Sequence, residues 1–218
     1  MMKYPCLVLD HDDTTVNSTA TVHYPCFVEY MAKYFPRVKL TLEEDFVYNF
    51  DPGVVELFTK ICGMTWDEML EEEAYWKEYV KHHVPKAYDG VREILQEQRK
   101  QGGKICVVSH SFAENILRDY RENDLPAPDL IFGWDYPPEQ RKPAVWPLEQ
   151  IMKTFGYGPD ELLVVDDLKP GYDMAKAAGV PFAAAGWANN IQRIETFMRK
   201  NCGLYFKTVE ELRKHLFE

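Results

Sequence analysis

From residue 88 onward, short apolar runs alternate with amphipathic segments, and this alternation restricts the fold more than any other feature of the chain. The runs are Lys104–Val108, Leu130–Phe132, Leu162–Val165 and Phe182–Ala185, with Cys6–Leu9 as a fifth near the N-terminus. Helix-like segments lie near 90–101, 112–121, 145–155 and 171–178, and Gly102-Gly103 and Gly179 stop two of them. Strand and helix alternating at this spacing predict a parallel sheet covered on both faces. Leu204–Phe206 adds a strand, and Thr208 to Glu211 forms a capping box for a last helix. The expected class is α/β, with a Rossmann-like parallel sheet and helices on both sides.

Residues 17–87 have a different texture, dense in aromatic and charged residues and nearly free of strand-like runs. Thr41 to Glu44 and Thr65 to Glu68 each read Thr-x-x-Glu, the pattern that satisfies free amides at a helix start. In the second helix, Trp66, Met69, Leu70, Trp76, Tyr79 and Val80 are expected on one face. Glu71, Glu72, Glu73, Lys77 and Lys81 are expected on a solvated one. Asp51-Pro52-Gly53 reads as a turn. The expected organisation is therefore an α/β core of residues 1–16 and 88–218, interrupted by an all-helical cap of residues 17–87. The cap is expected to act as a lid on hinges near 15–19 and 84–89, with His23, Tyr24 and the Asn49–Gly53 loop as candidate substrate contacts. His23 reads equally as a satisfied core histidine, and His82 and His83 as an exposed pair.

Several function classes are disfavoured. With 25 basic and 35 acidic residues, the formal charge is -10 and no basic run stands out. Such a surface repels phosphodiester backbones, so no nucleic-acid partner is expected. No apolar stretch approaches the roughly 20 residues of a bilayer span, so no membrane partner is expected either. Cys6–Leu9 stops at Asp10, too soon for a secretory core. The five cysteines are scattered and form no Cys-x-x-Cys pair, which predicts reduced, buried thiols and a cytoplasmic protein. Monomer and homodimer are equally compatible with these features.

The informative residues are those that end the strands. The first strand ends in Asp10-His11-Asp12-Asp13-Thr14, the one at 104–108 in Ser109-His110-Ser111, and the one at 162–165 in Asp166-Asp167. In an open parallel sheet, ligands bind outside the carboxyl ends of the strands, so these groups converge on one edge. Asp10 and Asp12 are two apart and point to the same side of an extended chain. Two unit charges 4 Å apart cost about 4 kcal/mol at an effective dielectric near 20, so four clustered carboxylates need raised pKa values or a cation. Mg²⁺ suits such oxygen ligands beside phosphates. Ser111 to Glu114 reads as a capping box, with Ser109 one step earlier at the strand end. Lys142 is a candidate counter-charge and phosphate ligand.

These motifs resemble the haloacid dehalogenase superfamily, in the branch of phosphoglycolate phosphatase-like hydrolases with a helical cap. The apolar strand and Asp10-His11-Asp12-Asp13-Thr14 match its first motif. Val107-Val108-Ser109 matches the second, Lys142-Pro143 the third, and Val165-Asp166-Asp167 through Ala178-Gly179 the fourth. Two positions depart from the pattern: Asp13 replaces a usual glycine, and Gly171 replaces a common second acidic residue.

The resemblance implies a Mg²⁺-dependent phosphatase acting on a small phosphorylated metabolite. Asp10 would be the nucleophile and form an aspartyl-phosphate. Asp12 would be the general acid and base. Ser109, Lys142 and main-chain amides near His11 and His110 would hold phosphate oxygens. Asp10, the Asp12 carbonyl and Asp167, helped by Asp166, would hold the metal. Two relatives of the same superfamily remain as alternatives, a sugar-phosphate mutase and an inactive phosphate-binding protein. A signalling receiver domain, which also gathers aspartates, a hydroxyl and a lysine, is disfavoured by motif order and by the insert.

Overall fold

Strand β1 (Cys6–Leu9) has four fully or almost fully buried side chains, and the rest of the chain is organised around it. In the computed structural model, which describes residues 2–218, β1 is followed by a turn and a two-residue strand, β2 (Val16–Asn17). Helices α1 (Tyr24–Tyr34), α2 (Leu42–Phe50), α3 (Val54–Glu56) and α4 (Trp66–Lys81) come next, with a π-helical stretch, Leu57–Ile61, continuing α3. The chain returns through β3 (Lys86–Ala87). It then alternates as α5 (Val91–Lys100), β4 (Lys104–Val108), α6 (Ala113–Glu122), β5 (Leu130–Phe132), α7 (Trp146–Phe155), β6 (Leu162–Asp166), α8 (Lys169–Ala178), β7 (Phe182–Ala185), α9 (Gln192–Asn201), β8 (Leu204–Phe206) and α10 (Val209–Phe217).

The sheet has six strands in the order β5-β4-β1-β6-β7-β8, and each pairing within it is parallel. Renumbered along the sheet this is 3-2-1-4-5-6, the doubly wound order of the Rossmann arrangement. Alternate side chains of the strands, including Leu7, Leu9, Ile105, Val107, Leu163 and Val165, pack with residues of α5, α6 and α10. The opposite set, Cys6, Val8, Cys106, Val108, Leu162 and Val164, is buried to the same degree. Both faces are thus covered, and each fully buried aliphatic side chain contributes about 1.5–3 kcal/mol. β2 and β3 form a separate antiparallel ribbon, a feature that two-residue strands leave no sequence periodicity to announce.

The molecule divides into two units, the chain up to Asn17 with Lys86–Glu218, and Ser18–Pro85. In the second unit the Thr41 and Thr65 capping boxes both form, each hydroxyl accepting from the amide three residues on. Its core gathers Phe27, Tyr30, Met31, Leu57, Cys62 and Met64.

The expected faces of α4 need correction. Met69, Glu72 and Val80 are the buried residues, whereas Trp66 and Leu70 are exposed. At about 100° per residue Leu70 lies nearly a third of a turn away from Met69, while 69, 72, 76 and 80 form one stripe. Glu72 therefore goes inward with the apolar residues. His23 accepts a hydrogen bond at Nδ1 from Trp76 Nε1 at 2.9 Å. His82 and His83 are exposed, and all five cysteines are free and buried. Among the described residues, no helix is long and apolar enough to cross a membrane.

Candidate active site

Register alone assembles the edge at which the site forms. Leu9 is paired with Val107 on one side and Val165 on the other. The next residue, Asp10, is therefore level with Val108 and Asp166, with Ser109 and Asp167 one step further. Asp10 is held by its main chain: its amide donates to the Val165 carbonyl at 2.9 Å, and its carbonyl accepts from Thr15 Oγ1 at 2.7 Å.

A single buried ammonium serves two of these carboxylates. Lys142 Nζ lies 2.9 Å from Asp10 Oδ1 and 2.7 Å from Asp166 Oδ2, with all three side chains almost wholly buried. Burial pulls the Lys142 pKa down, but Asp10 and Asp166 outweigh it and hold the pKa above the usual lysine value. Burial also pushes Asp166 up to about 7, with the Asp10 charge adding to the rise and Lys142 and the Leu168 amide opposing it. Both Asp166 oxygens are engaged, because Leu168 N donates to Oδ1 at 2.7 Å.

Asp167 stands beside this pair and accepts from Thr14 Oγ1 at 3.2 Å. Its pKa is raised well above the ordinary carboxyl value by burial first, then by Asp13, Asp166 and Asp10. Asp13 occupies its glycine-like position with φ 56°, a left-handed conformation that aspartate tolerates better than most residues. Oxygens of Asp10, Asp166 and Asp167 lie within 4.8 Å of one another. Asp10 Oδ1 is fully buried, with the Lys142 ammonium 2.9 Å away. Three clustered carboxylates and one ammonium leave uncompensated negative charge, and an all-oxygen donor set suits a hard divalent cation. The residues fit Mg²⁺.

The second strand end brings Ser109, His110 and Ser111 to the same place. Ser109 is buried; its amide donates to the Phe132 carbonyl at 3.0 Å, and its Oγ accepts from the Ser111 amide at 3.2 Å. His110 Nε2 donates to the Lys142 carbonyl at 2.9 Å, and its ring meets Trp134 edge-on. Burial first, and then Lys142, push the His110 pKa down to about 3. A neutral ring donating through Nε2 has only an acceptor at Nδ1, so its side chain offers no donor to a phosphate and only its main-chain amide remains.

The expected Ser111 capping box does not form. Phe112 is the N-cap residue of α6 and makes no side-chain cap. Ser111 lies one residue before that N-cap, and its Oγ donates to Asp12 Oδ2 at 2.5 Å. The Ala113 amide is satisfied by Asp135 Oδ2 at 2.7 Å. Ser111, Thr14, Thr15 and Asp135 are thus site residues that the sequence reading passed over or used otherwise. The hydroxyls adjoining each aspartate motif were the available signal.

Residues 7–185 match the family model described as Haloacid dehalogenase-like hydrolase. The chain is 24% identical over 187 residues to Pyrophosphatase PpaX of Bacillus cereus, covering 85% of each protein. Among solved structures it resembles a predicted phosphoglycolate phosphatase from Haemophilus somnus, with TM-score 0.75, 18% identity and 99% of each chain covered. It also resembles a HAD family hydrolase from Deinococcus radiodurans solved with bound phosphate and sodium, with TM-score 0.69, 17% identity and 99% and 96% coverage.

Proposed function

We infer the chemistry from one premise: the chain belongs to the haloacid dehalogenase-like hydrolase family. We propose that it is a Mg²⁺-dependent phosphatase that hydrolyses a small phosphorylated metabolite through an aspartyl-phosphate on Asp10. The observation that carries this reading is the Asp10 carboxylate. It is buried at the carboxyl edge of the central strand, 2.9 Å from the Lys142 ammonium and clustered with the Asp166 and Asp167 carboxylates.

In this reading Ser109, Lys142 and the main-chain amides beside His11 and His110 hold the non-bridging phosphate oxygens. Asp10 attacks phosphorus, and the bond to the leaving oxygen breaks as the aspartyl bond forms. Asp12, its carboxylate oriented by Ser111, gives its proton to the leaving alkoxide. Asp12 then takes a proton from the water that cleaves the aspartyl-phosphate. Asp166 acts chiefly by holding Lys142, since both its oxygens are engaged. Mg²⁺, held by Asp10, Asp167 and the Asp12 carbonyl, would neutralise phosphate charge facing the nucleophile. A cytoplasmic setting belongs to the same reading, because five free buried thiols suit a reducing compartment.

The test is phosphate release from a generic aryl phosphate and a metabolite panel, with Mg²⁺ or EDTA, in wild type and Asp10→Asn. Phosphoglycolate and inorganic pyrophosphate enter the panel because relatives carry those substrates in their names. Release that requires Mg²⁺ and vanishes in Asp10→Asn is expected. Release that survives the substitution in pure protein would show that Asp10 is not the nucleophile.

A further inference from the structure

Behind the carboxylate cluster lies a second buried polar group that the proposed reaction does not use. His11, between the two aspartates of the first motif, is 1% exposed, and its Nε2 donates to Asp119 Oδ2 at 3.0 Å. Asp119, in the second turn of α6, is 3% exposed, and Arg118 donates to its other oxygen from Nε at 2.8 Å and from Nη2 at 2.7 Å. The His11 ring is stacked on Tyr120 at 6.0 Å between centroids.

This arrangement is a poor device for stability. His11 Nδ1 is buried with no hydrogen-bond partner, and leaving such a group unsatisfied costs about 1–3 kcal/mol. Apolar side chains at both 11 and 119, packed against Tyr120, would avoid that cost. What the imidazole alone provides is a directed link from the nucleophile loop to α6. The His11 carbonyl accepts from the Thr15 amide at 2.9 Å and the Val16 amide at 3.0 Å, so the orientation of residue 11 sets the whole turn after Asp10. Ser111, just before α6, holds Asp12. The α6 segment therefore grips the Asp10–Asp12 loop at two places, and this same segment follows directly from Ser109.

We propose that Asp119, backed by Arg118, is a positioning residue that fixes the Asp10–Asp12 loop through the His11 side chain and so sets the spacing between Asp10 and Ser109. The proposal rests on the phosphatase reading for its kinetic consequence and on the hydrogen bonds alone for its structural one. A misplacement of about 1 Å is enough to cost up to about 10²-fold in rate, which makes a buried anchor beside the nucleophile consequential.

The experiment compares wild type, Asp119→Ala, Asp119→Asn and His11→Leu by turnover of an aryl phosphate, thermal unfolding and hydrogen exchange of the Thr15 and Val16 amides. Asp119→Ala is expected to lower kcat about 10- to 100-fold with KM within about twofold, and to speed exchange at both amides about tenfold or more. Asp119→Asn, whose amide oxygen still accepts from Nε2, is expected to recover most of the rate. His11→Leu is expected to lose rate like Asp119→Ala and to lower Tm modestly, because Asp119 Oδ2 is left buried without its donor. A merely structural role would lower Tm and leave kcat of the folded protein unchanged. If Asp119→Ala fails to fold, Asp119→Asn and His11→Leu still decide the matter. Wild-type exchange at Thr15 and Val16 in both Asp119→Ala and His11→Leu would overturn the proposal. If wild type releases no phosphate, the phosphatase reading fails separately, and the exchange comparison still decides whether Asp119 fixes the loop.

Discussion

Gly171 packs against the Asp166 carboxylate so closely that a Cβ at position 171 would stand 2.0 Å from Asp166 Oδ2. That oxygen is the one that receives the Lys142 ammonium. Gly171 departs from the acidic residue that the resemblance makes common at this position, and the close approach explains the departure: any side chain would displace Asp166 from its lysine. Gly171→Ala should therefore destabilise the fold by about 1–3 kcal/mol through overpacking. It should also lower kcat at least about tenfold by releasing Lys142. Urea unfolding and turnover on the same preparation check both effects, and an active variant of unchanged stability would contradict the packing argument.

Lys142 is the single ammonium within ion-pair distance of Asp10 and Asp166 among the described residues. Lys142→Met should cost about 3–5 kcal/mol, because two buried carboxylates lose their cation. It should also lower kcat about 10²–10³-fold through the loss of a donor to the phosphate. Lys142→Arg should not restore the rate, since a planar fork cannot take the place of a compact ammonium between two carboxylates. Denaturation curves and single-turnover rates measure the two consequences separately.

Asp135, rather than Ser111, satisfies an amide at the start of α6. Asp135→Ala should fray the start of α6 and cost about 1 kcal/mol with modest loss of rate. Ser111→Ala should leave the helix intact and lower kcat about 3- to 10-fold by freeing Asp12. If Ser111→Ala loses stability as a missing cap would and keeps its rate, the hydroxyl serves the helix after all.

The helical unit carries two buried carboxyls. Burial pushes Asp45 up to about 6, opposed by His23 and Asn49, and pushes Glu72 up to about 7, with Glu73 and Asp45 adding to the rise and His23 opposing it. Their folded pKa values lie above the ordinary value near 4. Their protonated forms therefore favour the folded state: the contribution is complete below about pH 4 and is lost as pH rises through about 6 and 7. Stability of the Ser18–Pro85 unit should fall across this window. Glu72→Gln should flatten the fall and stabilise the protein by about 1–3 kcal/mol at pH 8. Urea midpoints at pH 5 and pH 8 test this, and parallel shifts in wild type and Glu72→Gln would refute it.

Local features were legible where local physics decides them. The runs at Lys104–Val108, Leu130–Phe132 and Phe182–Ala185 are the strands that form, because unbroken apolar stretches of this length are stable only when buried on both faces. The boxes at Thr41, Thr65 and Thr208 close as their spacing requires, since both partners lie within one turn. The box at Ser111 fails because α6 starts one residue later, with Phe112 as its N-cap, so Glu114 is not the third helical residue. Glu72 was placed in solvent because α4 carries apolar residues around much of its circumference, and which stripe turns inward depends on what the helix packs against.

The strand–helix alternation can be read from the amino-acid order, and so can the polar residues that end each strand: Asp10 and Asp12, Ser109, and Asp166 and Asp167. These follow from side-chain chemistry and short-range spacing. The folded chain alone shows that Lys142 bridges Asp10 and Asp166, that Ser111 serves Asp12, that His11 reaches Asp119, and that Gly171 must lack a side chain. Each of those contacts joins segments whose approach is set by strand register and helix packing, and hydrogen bonds and ion pairs depend on ångström distances that spacing along a chain does not encode.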